Sequence, residues 1–209
     1  LQIIRRRDGL FKKKVSAAEK AANKSTVSLV LYINERLIPE HRYWYYEDTI
    51  SPVLKKYRLG KLVGGESMMT KENGVECCEL SFECPRRKLN KLVNLLSIIP
   101  LAKGSRITVF GDDGKEEKEI EVGKLECMGI RLNGTELPDE IYKSCTSDYV
   151  VDELMKILGE ENVLYTYWHG DTDMLLFFYG ESYEEMRDKV SEFLDTYPLC
   201  QDCTVEQVA

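Results

Sequence analysis

The residues best equipped for chemistry in this chain are its seven cysteines, two histidines and a surplus of carboxylates. Cys200 and Cys203 stand three apart in "YPLCQDC", a spacing that can hold a metal or cycle between dithiol and disulfide. A redox pair belongs at a helix N-terminus, where the helix dipole lowers the thiol pKa. Here "SYEEMRDKVSEFLDTYP" reads as a helix that ends just before Cys200, where the dipole acts in the opposite sense. A structural zinc site needs two more ligands, and the chain has no second CxxC and no HxxxH. Cys77 and Cys78 are adjacent, so a strand would point them to opposite faces. Packing is the expected role of Cys200 and Cys203. Zinc with help from Cys145 or His169, or a facultative disulfide, are the alternatives. No metal site and no cofactor is expected.

His169 lies in "WHGDTD" with Asp171 and Asp173, which suggests a metal or acid–base cluster. Gly170-Asp171 is equally a sound hairpin turn, where Asp is favoured for backbone reasons. His41, in "PEHRYWYY", reads as a surface imidazole in an aromatic loop. "LVGGES" (62–67) has paired glycines but neither GxGxxG nor the lysine of a P-loop, so a bend or bulge in a strand explains it. No serine sits in a nucleophile elbow. No carboxylate pair stands out among 36 acidic residues. No catalytic residue is expected, and the chain reads as non-enzymatic.

Charge narrows the partners. Residues 1–24 carry eight basic and two acidic side chains, a net of +6, within a chain whose formal net charge is −7. The remainder therefore holds −13, a field that repels phosphate backbones and favours cationic partners. No run of about 18 apolar residues is present, so no membrane-spanning helix is expected. An odd number of scattered cysteines fits reduced thiols in a cytoplasm.

The elements that must position these residues follow from periodicity. After a basic leader (1–25), "TVSLVLYI" reads as a strand buried on both faces. "YEDTISPVLKKYRLG" reads as a helix, with Pro52 tolerated only near its start and Gly60 at its stop. "KLVGGESMMT" and "GVECCELSFEC" are strands joined around "KENG". "PRRKLNKLVNLLSII" is a helix and "SRITVFG" a strand. The acidic stretch "DDGKEEKE" (112–119) is a linker or exposed hairpin. The order then returns: "GKLECMGIRL" is a strand, "SDYVVDELMKILG" a helix capped by Ser147 or Asp148, "VLYTYWHG" and "TDMLLFFYG" a hairpin, followed by the terminal helix and "CTVEQVA". A shift of 98 residues lays Pro100-Leu101 on Pro198-Leu199, and Leu92, Leu95 and Leu96 on Val190, Phe193 and Leu194. The reading is α+β, with two tandem ferredoxin-like (βαββαβ) units of antiparallel sheet at 26–111 and 120–209. Under that shift the CxxC falls on a connection that the other half builds from Ala102 and Ser105.

Strand alternation sends Glu79 and Glu83 away from the apolar set containing Leu80 and Phe82. An RNA-binding module would show basic and aromatic residues on its open sheet face; "TDMLLFFYG" lacks that pattern's cation and glycine, so no nucleic acid is expected. The tyrosines of "LYTYWHG" are expected to pack between the two halves.

In "LGKLVGGESMM…GVECCELSFE" and "SYEEMRDKVSEFLDTYPLCQDCTVEQVA" the chain resembles bacterial cytoplasmic proteins of tandem ferredoxin-like build. Its first segment is also similar to the immunity proteins of polymorphic and contact-dependent toxin systems. That resemblance implies an acidic, non-catalytic α+β protein that binds one toxin domain tightly. The expected function is thus protein binding, in its sharpest form neutralisation of a basic toxin domain, with Glu79, Glu83, Asp171 and Asp173 as contacts. The alternative is a small-molecule sensor that holds its ligand between the two units.

Overall fold

A computed structural model describes residues 25–70, 74–159 and 163–209; the basic leader up to residue 24 and most of the "KENG" turn lie outside the described residues. The chain forms a mixed α+β structure with two antiparallel sheets.

Strand β1 (Thr26–Ile33) sits third in the first sheet and sets its pattern. Val27, Leu29, Leu31 and Ile33 point into the core, while Thr26 and Ser28 are exposed and Val30 and Tyr32 half-buried. The expectation of burial on both faces is corrected here: Val30 and Tyr32 are good strand formers, but they stand on an open face. The helical run that follows starts earlier than expected. It comprises α1 (Pro39–Arg42), a π-helical turn (Tyr43–Glu47) and α2 (Asp48–Tyr57), so His41 and its aromatic neighbours lie on a helix rather than in a loop. Pro39 takes the first turn, where its missing N–H costs nothing. Pro52 stands inside α2 instead of near the start of the run. The stop comes at Arg58, left-handed at φ 51°, with the Leu59 N–H closing on the Leu54 carbonyl at 3.0 Å.

Strands β2 (Lys61–Thr70), β3 (Gly74–Pro85), β4 (Arg106–Phe110) and β5 (Glu116–Glu121) complete the sheet in the order β2-β3-β1-β4-β5. The acidic stretch read as a linker or hairpin is a turn followed by an edge strand, with Thr108 opposite Glu119. Its charges suit an edge exposed to water. Helix α3 (Leu89–Ser97) and α2 cover one face of this sheet through Leu92, Leu96, Ile50 and Leu54.

The second sheet runs β7-β8-β6-β9, from β6 (Glu126–Asn133), β7 (Leu164–His169), β8 (Asp173–Gly180) and β9 (Thr204–Gln207). Between β6 and β7 the expected long connection contains a short helix, α4 (Asp139–Ser144), before α5 (Ser147–Leu158). The N-cap of α5 is Thr146, one residue earlier than the expected Ser147; its hydroxyl accepts from the Tyr149 N–H. Helices α5 and α6 (Tyr183–Thr196) cover one face through Val150, Leu154, Val190 and Leu194.

The opposite face of the second sheet is covered too, by the first half of the chain. Leu175, Phe177, Tyr179 and Cys127 form a cluster with Ala102, to which Trp168 and Leu164 add their edges. Hydrogen bonds pin this joint. The Arg36 N–H donates to Tyr179 Oη at 2.7 Å, the Thr166 hydroxyl donates to the Arg36 carbonyl at 3.1 Å, and Tyr45 Oη donates to the Tyr165 carbonyl at 2.9 Å. At its rim, Gly74 adopts φ 68°, and a Cβ there would overlap the Trp168 indole.

Candidate functional site: an acidic open sheet face

The second sheet is covered by helices on one side and by the joint on the other, whereas the second face of the first stays open to water over much of its area: Glu66, Glu119 and Glu121 are exposed there, and Glu79, Ser81, Glu83, Val30 and Thr108 half-buried. Strand pairing writes that face out in rows. Glu66, Glu79, Tyr32, Arg106 and Glu121 stand side by side across all five strands. Gly64, Ser81, Val30, Thr108 and Glu119 form the next row, and Lys61, Glu83, Ser28, Phe110 and Glu116 the third. Six carboxylates thus stand in these rows with two cations. Both cations are taken: Lys61 Nζ lies 3.0 Å from Glu83, and Arg106 lies 3.2 Å from Glu119 with its guanidinium 4.0 Å over the Tyr32 ring. Glu66 and Glu79 face each other directly, and neither has an ion-pair partner among the described residues. Like charges opposite one another on neighbouring strands are destabilising. A cation supplied from outside would relieve them.

The four residues expected as contacts do not converge. Glu79 and Glu83 lie four apart on β3, both half-buried on the open face, while Leu80 and Phe82 between them are fully buried. Asp171 and Asp173 belong to the β7–β8 hairpin of the other sheet. Asp171 is exposed, but Asp173 is engaged by the Arg131 guanidinium and accepts the Gly170 N–H through its carbonyl. Asp171, Asp173 and His169 line a cleft of about 440 Å³ closed on the other side by Tyr142, Cys145 and the start of α5. Among the described residues no group of histidines, cysteines and carboxylates is arranged to hold a metal.

The cysteines sit where packing requires them. Cys200 ends a short 3₁₀ turn (Pro198–Cys200) between α6 and β9, buried against the second core. Burial pushes its thiol up to about 12 and raises that of Cys203 as well, so neither is poised as a nucleophile. All seven cysteines are free thiols.

The most perturbed carboxyl is one the sequence reading passed over. Glu35 is 0% exposed, two residues past the end of β1. Tyr46 Oη donates to its Oε2 at 2.6 Å and the Ala102 N–H donates to its Oε1 at 3.0 Å. Burial raises its pKa to about 7, against the lowering effect of both hydrogen bonds. It ties the end of β1 to the π-helical turn and to the loop that enters the joint. Its signal was present in the sequence: Val27, Leu29, Leu31, Ile33, Glu35 and Leu37 are buried at every second position, so the alternation runs straight through the carboxyl. Glu35 is a structural clasp: both of its carboxyl oxygens are engaged inside the protein, by Tyr46 and by the Ala102 N–H.

No family model and no curated protein matches the chain. Solved structures to which it is similar include two mutants of the chlorite dismutase from Candidatus Nitrospira defluvii. One is 10% identical over 91% of this chain and 94% of that one, with a TM-score of 0.28; the other is 10% identical over 87% and 90%, with a TM-score of 0.27. An anthrone oxidase-like protein is 9% identical over 87% of this chain and 81% of that one, with a TM-score of 0.26. Likeness at this level carries no inference about the chain's activity.

Proposed function

We propose that this chain is a non-catalytic recognition protein whose open sheet face receives a basic protein surface, as the immunity proteins it resembles receive a toxin domain. The observation that carries the reading is the Glu66–Glu79 pair: two carboxylates face to face, within a face where Lys61 and Arg106 are already neutralised. A basic partner brings the missing cations, and the net field of the chain draws that partner in. The same reading takes each half as a ferredoxin-like unit and the compartment as the bacterial cytoplasm. Element order and the strand orders 2-3-1-4 within each half support the former, β5 being an addition to the edge. The ligand-sensor alternative has less to rest on, because buried side chains fill the joint and the cleft of about 440 Å³ lies within the second half.

The test is kinetic. Association with a basic protein that co-purifies with this chain should slow about tenfold or more from low to physiological salt, with a much smaller change in dissociation. Glu79→Lys with Glu83→Lys should slow capture without unfolding the protein. A salt-insensitive association rate, or a partner whose contact surface is acidic, would overturn the reading.

A further inference from the structure

The helical run 39–57 carries a second surface, remote in kind from the acidic face. Tyr43, Trp44 and Tyr45 are 50%, 63% and 39% exposed, an aromatic patch at the point where the helix widens into a π-turn. Such turns recur at functional sites, and exposed clusters of large apolar side chains mark contact surfaces.

The patch is held rigidly. Tyr45 Oη is anchored on the Tyr165 carbonyl, and the His41 ring packs edge-on to Tyr167 at 5.2 Å and beside Trp44 at 5.8 Å. His41 Nδ1 lies 2.8 Å from Thr166 Oγ1. The single Thr166 proton is spent on the Arg36 carbonyl, so Nδ1 is the donor, which fixes the tautomer and the ring plane. Burial lowers the His41 pKa, which keeps the ring neutral where a cation would have to approach. The one cation on the same turn is withdrawn: Arg42 is buried, its Nε 2.7 Å from Glu47 and its Nη1 2.9 Å from Ser67. Glu40 and Asp48, both exposed, stand four residues before and after Trp44 and so flank it on the helix surface.

We propose that Trp44 with Tyr43 and Tyr45 is a receiving platform for an arginine or lysine side chain of a protein partner, stacked on the indole and paired at its edge with Glu40 or Asp48. An indole is the best aromatic acceptor for a cation, and Trp, Tyr and Arg dominate the residues that carry interface energy. The inference rests on the basic partner proposed above for the identity of what docks, but on none of the residues of the sheet face.

An oligo-arginine peptide and its neutral oligo-citrulline counterpart are titrated against the intact protein, with tryptophan emission as the readout. The arginine peptide should change the emission, and the change should vanish in Trp44→Phe, which leaves Trp168 as the sole indole. Followed by calorimetry, Trp44→Ala should weaken binding of the arginine peptide about fivefold, the effect of one exposed cation–π contact, and the citrulline peptide should leave the emission of the parent unchanged. All three effects should persist in the Glu79→Lys/Glu83→Lys background. Equal responses to both peptides, or an unaltered affinity in Trp44→Ala, overturns the platform even if the sheet face binds. A platform response together with an association rate that neither salt nor charge reversal at Glu79 and Glu83 alters overturns the sheet-face reading alone.

Discussion

Replacing Glu35 by Gln should abolish the pH dependence that this one carboxyl imposes on the fold. In the native protein burial raises its pKa from 4.5 to about 7. Below the ordinary value the group is protonated folded or unfolded, and its stabilising contribution is complete. Between the ordinary value and about 7 the folded form keeps a proton that the unfolded chain has released, so stability falls as pH rises. A shift of this size corresponds to about 3 kcal/mol at 1.4 kcal/mol per unit, lost by the time the pH has passed the folded pKa. Glutamine stays neutral throughout. Its carbonyl can accept the Ala102 N–H as Glu35 Oε1 does, and its amide can donate to Tyr46 Oη as the protonated Oε2 can, so both contacts have a counterpart in the variant. His41 works in the opposite direction: burial lowers its pKa below 6.5, so its contribution is lost as pH falls through that region. Because His41 is common to both proteins, the difference between the two stability curves isolates Glu35. Urea unfolding at a series of pH values should show Glu35→Gln gaining about 3 kcal/mol on the parent from acid to mildly alkaline pH. Parallel curves over that interval would refute the placement of a buried, proton-retaining carboxyl at this position.

Gly74→Ala should destabilise the protein by about 1–3 kcal/mol in urea, because the new Cβ must enter a left-handed backbone position and displace the Trp168 ring; a neutral substitution would mean that the joint is looser than described. The Cys200→Ala/Cys203→Ser protein should stay folded with a loss of no more than about 2 kcal/mol, and the parent should purify without stoichiometric zinc; elemental analysis and thermal unfolding check both. A thiol reagent at neutral pH should leave Cys200 unmodified in the folded protein, since its thiol is pushed to about 12.

Much of the architecture was legible in the sequence, because period-2 and period-3.6 patterns report which face an element buries. Strands β2 and β3 lie where "KLVGGESMMT" and "GVECCELSFEC" placed them, and Leu92 and Leu96 on α3 face the core. The start of the first helical run was not legible: Pro39 opens it, but "HRYWYY" is a poor helix former by propensity, and the π-turn that holds it is stabilised by tertiary contacts such as Tyr46 with Glu35. Alternation gave Glu79 and Glu83 their outward face. It could not reveal that Glu66 stands opposite Glu79, because cross-strand register depends on two irregularities in β2 that no local pattern encodes. The covering of the second sheet was hidden for a similar reason, since Tyr179 meets Arg36 across 143 residues of chain.

The central claim, that the open face of the first sheet receives basic side chains, is tested most directly by following backbone amide resonances while an oligo-arginine peptide is added. The account expects saturable shifts on β3 and its neighbours at Glu79, Ser81, Glu83, Glu66 and Thr108, diminishing with added salt and abolished by Glu79→Lys with Glu83→Lys. Shifts that bypass these strands, or that persist unchanged in the charge-reversed protein, would contradict it.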